Sequence, residues 1–345
     1  MQVAYFTRLR HIELRDEPPP VIDQPDYALV RIDRLGVCGS DVHYYAEGGI
    51  GAQRVEFPAT LGHECAGTVM EVGPGVAGLK PGDRVAIDPA FACGACDQCR
   101  AGRQNTCRNL RFMGSPGQAP GAAAELAVVP AANCLPVPEA VSLDLAALAE
   151  PLSVGLYAVK LSDMRPGARV AVLGSGPIGL SVLLCAKAAA PCTVYMTDLL
   201  EPRLELARRC GADFAVNAAE TGAVPALLRR EPLGLDRVFE CSGDPACIDQ
   251  AAALLAPGGT LMQVGIPPAP RIEFDPHPFR FHELSVRNVR RQKDCVAPVL
   301  RMLAEGRVDA APLLTHHFPL DRIGDAFELV AGYRDGVVKA TVELG

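Results

Sequence analysis

The stretch ARVAVLGSGPIGLSVLLCAKAAAPCTVYMTD, residues 168–198, decides the fold. It opens on an apolar run, residues 168–173, with the length and β-branched content of a strand buried on both faces. A glycine turn, an apolar segment of helix length and a second apolar run ending at Asp198 follow. Strand, tight turn, helix, strand is the unit from which a parallel sheet is wound.

Gly174, Gly176 and Gly179, with Pro177 and Ile178 before the last, spell G-x-G-x-x-G. The motif alone is weak. Here it lies between a strand and a helix, and an acid closes the next strand about twenty residues on, which is the context a dinucleotide needs. The glycines let the backbone approach a pyrophosphate, whose charge the helix N-terminus meets. The Asp198 carboxylate would accept hydrogen bonds from the adenosine ribose and repel a 2′-phosphate, so NAD is expected rather than NADP. Arg203 is a candidate for the adenine-ribose region, and equally a helix-surface charge.

Downstream the rhythm recurs. Helix EPRLELARRCG leads to strand ADFAVN, VPALLRRE to DRVFECSG, and PACIDQAAALLAP to GGTLMQVG. This predicts an α/β Rossmann domain, a doubly wound parallel sheet, over residues 154–288. Upstream, residues 1–153 carry short alternating stretches such as AGTVMEVG and DRVAID closed by GPG and KPGD, an antiparallel, mainly β style. Residues 289–345 are too few for a core of their own and are expected to return to the first domain.

The bulk composition agrees with two domains. A chain of 345 residues with 49% apolar content exceeds the size of one growing core. A net charge of −7 and the lack of a long basic run argue against nucleic acid and for a small-molecule partner. The N-terminus shows no signal-peptide pattern, and the longest apolar run is explained by the sheet rather than by a membrane span, so the expected location is cytoplasmic, with no membrane partner. Thirteen cysteines, an odd number, are then thiols or metal ligands rather than disulfides.

Four of them, Cys93, Cys96, Cys99 and Cys107, are spaced C-x2-C-x2-C-x7-C in a glycine-containing loop, about residues 91–110. Four thiolates match a closed tetrahedral zinc site, which leaves no position for a substrate. A catalytic zinc needs mixed ligands and an open position. Two stretches offer them: GVCGSDVHYY, with Cys38, Ser40, Asp41 and His43, and GHE, with His63 and Glu64. Taken singly, His63 reads as a core histidine and Cys38 as a buried thiol.

Together these stretches resemble the zinc-dependent medium-chain alcohol and polyol dehydrogenases. GVCGSDVHYY is similar to that family's first zinc-ligand motif, GHE to its second, the four-cysteine loop to its structural zinc lobe, and AEPLSVGLYAV to the segment that brings an acid to the metal. VLGSGPIG followed by TD resembles its NAD site, and the likeness runs in order to THHFPLDRIGDAFELV. Within the family, GSDVHYY, EPLSVG and the TDxxxxRLELA run are most similar to the sorbitol and xylitol branch. The resemblance implies a GroES-like domain for the first part and two zincs per chain. Cys38, His63 and Glu64 would hold the catalytic one, with Glu150 binding a water or the metal itself.

The resemblance further implies oxidation of a secondary alcohol of a polyol to the ketose, with hydride passing to NAD. Metal coordination lowers the pKa of an alcohol that would otherwise be a poor hydride donor. Ser40 and His43 resemble the family's proton relay, and Glu150 offers a second route. Tyr44 and Arg291 would contact substrate hydroxyls, and Cys241 and Val264 the cofactor. Arg290 leaves the place of Arg291 ambiguous by one residue. Gln292 stands where a tyrosine is expected and Tyr45 where relatives often carry tryptophan; both changes are expected to touch the substrate pocket. A butanediol-type diol or threonine as substrate, and a non-enzymatic zinc protein, are the alternatives. A homo-oligomer, tetramer or dimer, is the family expectation.

Overall fold

The computed structural model describes residues 1–268 and 271–345. The chain divides into two compact units: residues 1–150, 296–306 and 314–345 in one, residues 151–295 and 307–313 in the other.

The first unit is built on a seven-stranded sheet. Its centre is the long strand Tyr27–Gly36, in which Ala28, Val30 and Ile32 alternate into the core. One edge of this strand pairs antiparallel with Glu64–Val72. The other edge pairs first with Leu126–Pro130 and then with Lys339–Glu343. Arg84–Ile87 and Cys134–Pro136 extend the sheet beyond Glu64–Val72, and Leu314–Pro319 lies parallel to Lys339–Glu343 on the far side. The C-terminal segment thus supplies two strands to this sheet.

Aromatic packing fixes one helix against this frame. Phe6, Tyr45 and Phe327 are buried with ring centroids 5.0 to 6.0 Å apart in edge and tilted contacts. Tyr45 belongs to the helix Gly39–Glu47, and Phe327 to the helix Ile323–Ala331. Gly39–Glu47 starts at Cys38, whose extended backbone forms the N-cap, and stops at Gly48, where a φ of 74° turns the chain away.

In the second unit six parallel strands run in the order Phe214–Asn217, Cys192–Asp198, Ala168–Leu173, Leu235–Glu240, Leu255–Gln263, Ser285–Asn288. The chain moves outward from Ala168–Leu173 in one direction and then in the other. This is the doubly wound α/β sheet expected from the sequence, and its switch point lies between Ala168–Leu173 and Leu235–Glu240. The sheet is longer than the sequence pattern indicates. The sixth strand, SVRN, is exposed throughout and holds a single apolar residue, Val286, so it carries no burial signal. Helix Pro276–Phe281 before it is capped by Asp275, whose side chain accepts the His277 amide at 2.9 Å.

Candidate active site

Among the described residues, the four-cysteine loop is the group whose ligand atoms lie close enough together to share an ion, and a looser set of metal-type side chains lies at the start of helix Gly39–Glu47. In the four-cysteine loop the sulfurs of Cys93, Cys96, Cys99 and Cys107 all lie within 4.8 Å of one another. The shorter separations are 3.5 Å (Cys107–Cys93), 3.6 Å (Cys96–Cys99) and 3.8 Å (Cys96–Cys107). Zinc–sulfur bonds of about 2.3 Å in a tetrahedron require sulfur–sulfur edges of about 3.8 Å, so the cage fits the ion. Gly94 and Gly102, with φ of 69° and 68°, let the loop fold back, and Arg108 braces it through two hydrogen bonds to Asp97 at 2.6 and 2.8 Å. Backbone amides of Arg108 and Cys99 bring the Cys96 thiol down to about 6. Burial instead pushes Cys99 up to about 12. A bound cation would deprotonate all four thiols.

The second place is the start of helix Gly39–Glu47. Cys38 sits at its N-cap, and Ser40 Oγ donates to Cys38 Sγ at 3.2 Å. His63 is buried, and its Nδ1 lies 3.3 Å from Oδ1 of Asp41, which is wholly buried. Burial works against charge on His63, but Asp41 and Cys38 outweigh it and hold its pKa well above the ordinary histidine value. Neither Asp41 oxygen makes a well-formed hydrogen bond among the described residues. A carboxylate in that position suits a histidine that gives its other ring nitrogen to a metal, because it holds the proton on Nδ1 and fixes the ring. The donor set of thiol, imidazole and buried carboxylate is that of an open zinc site.

Two carboxylates complete this corner. Glu150, in the first turn of helix Ala149–Leu161, is pushed up to about 7, mainly by burial and further by Glu64 and Asp88, against His63 and Lys339. Glu64 is equally buried, and both its oxygens are held by Lys339 Nζ at 2.8 and 2.5 Å. Burial disfavours the ammonium, yet Glu64 and Cys38 keep Lys339 above the ordinary lysine value. His43 lies half-buried on the same helix with Nδ1 3.1 Å from Glu47, and Tyr44 is buried.

In the second unit the glycine motif forms the turn that its sequence indicates. Gly174 takes a φ of 96°, and a Cβ on Gly179 would fall 1.9 Å from the Gly174 carbonyl oxygen, so no side chain fits there. Helix Pro177–Ala189 begins with proline in its first turn, which leaves the Gly176 end open. Asp198 accepts from the amides of Ser175 (2.7 Å), Leu199 (2.8 Å) and Leu200 (3.0 Å). The Arg203 guanidinium lies beside Gly176, 3.5 Å from where a Cβ would stand. Cys241 and Val264 follow the ends of the next two strands, and the Val264 amide donates to Glu240 O at 2.9 Å.

Residues 24–139 match the model of the alcohol dehydrogenase GroES-like domain, and residues 177–305 that of the zinc-binding dehydrogenases. A sorbitol dehydrogenase of Bacillus subtilis is 34% identical over 99% of this chain and 97% of its own length. The sorbitol dehydrogenase of Gallus gallus is 38% identical over 92% of this chain and 90% of its own. The chain belongs to the zinc-dependent alcohol dehydrogenase family. Among solved structures, the 2R,3R-butanediol dehydrogenase of Bacillus subtilis superposes with a TM-score of 0.90 at 30% identity, covering 100% of this chain and 99% of that one.

In this dehydrogenase one sequence expectation about the pocket is corrected. Tyr45 is a core residue: it is 2% exposed, packs on Phe6 and Phe327, and donates its hydroxyl to Glu328 at 3.0 Å. Neighbours i and i+1 on a helix face different ways, so the pair YY does not present both rings to one space. Gln292 is 5% exposed, and its Oε1 accepts the Cys295 amide at 2.9 Å, which makes it a turn anchor. Arg291 is partly buried in a left-handed conformation, φ 53°. Lys339 was not singled out by sequence, because a lysine in VVKATVEL reads as the polar face of a strand. Asp41 carries no signal of its own in the sequence beyond its place three residues after Cys38.

Proposed function

We propose that this chain oxidises a secondary hydroxyl of a polyol such as sorbitol or xylitol to the ketone and passes the hydride to NAD. The observation that carries the reading is half-buried Cys38 at the helix start with buried His63, Asp41, Glu64 and Glu150, in a chain that also carries the intact glycine turn and Asp198. Zinc would be held by Cys38 and His63 with a carboxylate from Glu64 or Glu150, and by the four-cysteine loop. When bound, zinc lowers the pKa of the reacting hydroxyl by several units and NAD supplies the hydride acceptor.

The protein's own groups orient the substrate and move its proton. Ser40, two residues from Cys38, takes up the hydroxyl proton, and His43, half-buried with Glu47 on Nδ1, carries it to solvent. Glu150 is a second acceptor, buried in the same corner as His63 and Glu64. Tyr44 and Arg291 bind the remaining hydroxyls. Gly174, Gly176, Pro177, Ile178 and Gly179 form the pyrophosphate cradle, Asp198 and Arg203 address the adenosine ribose, and Cys241 and Val264 flank the remainder of the cofactor. A vicinal diol is the second reading, favoured by the likeness to the butanediol enzyme.

An odd number of cysteines, four of them in a metal-type cluster, suits thiols and ligands rather than disulfides, and that supports a reducing compartment, the cytoplasm. No helix among the described residues is long and apolar enough to cross a membrane. A homo-oligomer, dimer or tetramer, is supported by the unpaired edge strand Ser285–Asn288, where Val286 is 45% exposed close in sequence to Phe281 at 68%. A second copy is the natural cover for such an edge.

The deciding experiment is NAD reduction by purified protein with sorbitol, xylitol, galactitol, ribitol, butane-2,3-diol and threonine, before and after chelation. Chelator-sensitive turnover of a polyol is the expected result. Turnover of threonine alone, or none with both metals present, would overturn the substrate assignment.

A further inference from the structure

A cavity of about 360 Å³ opens on the second unit beside the edge strand Phe214–Asn217, lined by Tyr195, Asp213, Phe214, Arg229 and Arg230. That volume lies at the low end of the roughly 300–1,000 Å³ of small-molecule sites, room for one small metabolite. The cavity is apart from the dinucleotide turn. Phe214 is the first residue of its strand and pairs with Tyr195, three residues before Asp198, whereas a doubly wound sheet binds its cofactor outside the strand ends.

The charges around the cavity are unequally partnered. Asp213 Oδ2 accepts from Lys187 Nζ and, at 2.7 Å, from the Val194 amide, so this acid already has its base. Glu231 accepts the Tyr195 hydroxyl and faces the Arg169 guanidinium at 3.5 Å. Arg229 and Arg230 are exposed, and neither forms an ion pair among the described residues. The Arg230 guanidinium carbon stands 3.7 Å from the centroid of the Phe214 ring. Stacking holds the guanidinium plane while its N–H edge stays free to donate. Phe214 and buried Tyr195 meet edge to face with centroids 6.4 Å apart, which sets an apolar wall beside a doubly cationic rim.

A guanidinium donates in parallel to two oxygens of one acid group, and two such forks side by side suit a doubly charged head with three oxygens. We propose that this cavity is a second small-molecule site, which takes a phosphate monoester. The phosphate lies on Arg229 and Arg230, and the organic body rests against Phe214 and Tyr195. Occupation of the site needs neither zinc nor turnover.

The test is isothermal titration calorimetry of the full chain with NAD present at saturation, so that the dinucleotide crevice is closed to the probe. The probes are a hexose 6-phosphate and inorganic phosphate. One hexose phosphate per chain is expected, bound at least about threefold more tightly than inorganic phosphate because the wall contributes. Arg229→Ala/Arg230→Ala is expected to weaken it at least about tenfold, the worth of one charge-assisted hydrogen bond. Both arginines are exposed, so the melting temperature of this variant should match wild type. Arg15→Ala/Arg322→Ala, the same change of net charge in the other unit, should leave the affinity within about twofold. No binding of the hexose phosphate up to about 10 mM, unchanged affinity in Arg229→Ala/Arg230→Ala, or inorganic phosphate bound as tightly as the ester would each overturn the proposal.

Discussion

Replacing Asp198 by alanine tests how this chain chooses between NAD and NADP. A 2′-phosphate about 4 Å from the carboxylate would be repelled by about 4 kcal/mol at an effective dielectric near 20. Asp198 is partly exposed, so solvent reduces this to roughly 2 kcal/mol, or about thirtyfold at 1.4 kcal/mol per decade. On the NAD side the variant loses a ribose hydrogen bond to a charged acceptor, about 1.5–3 kcal/mol, or roughly 10- to 150-fold. The ratio of kcat/KM for NAD over NADP is therefore expected to fall by about 300- to 4,500-fold. The carboxylate also accepts the amides of Ser175, Leu199 and Leu200, so alanine loosens the turn as well. That effect weakens both cofactors alike and cancels in the ratio. Steady-state rates with each cofactor at saturating alcohol provide the measurement. A ratio within about threefold of wild type, in protein of normal melting temperature, would refute the assignment of Asp198 to the ribose.

Cys99→Ser should reduce zinc from two per chain to one and lower the melting temperature; retention of two zincs by elemental analysis would show that the loop is not a zinc cage. Tyr45→Phe leaves Glu328 without one donor and should cost about 0.5–1.5 kcal/mol in denaturant unfolding, with the ranking of polyols unchanged; an altered ranking would return Tyr45 to the pocket. Asp236 is held below the ordinary aspartate value of 3.8: burial alone would raise it, but the Arg169 guanidinium and amide outweigh that. A lowered acid contributes stability above its unfolded pKa and loses it as pH falls through the folded one. Acid unfolding monitored between about pH 4.5 and 2 should therefore be less steep in Asp236→Asn than in wild type, and equal steepness would count against the pair.

The parts that could be read from sequence are those in which neighbours in the chain are neighbours in space. Gly174 to Gly179 form one turn, and the four cysteines one loop, so spacing alone carries their geometry. Burial periodicity likewise revealed five of the six parallel strands. It failed at Ser285–Asn288 because an exposed edge strand has no apolar face to betray it. Lys339 was invisible for a related reason. Its role depends on Glu64, and nothing in VVKATVEL says that its side chain points inward. Tyr45 misled because a likeness of motifs locates a residue along the helix, while its direction is set by what packs behind it, here Phe6 and Phe327.

The separation of Glu64 from Lys339, 275 residues, orders events during synthesis. The unit holding Ala168–Leu173 and its five partner strands is almost wholly contiguous between residues 151 and 295, and it can close while later residues are still being added. The sheet that carries Cys38 and His63 must wait for Lys339–Glu343 to arrive at the open edge of Tyr27–Gly36. Until then Glu64 is an acid without its base at the edge of an unfinished core. A nascent chain of this enzyme would thus gain its dinucleotide turn early and its neutralised metal corner among its last acts of folding.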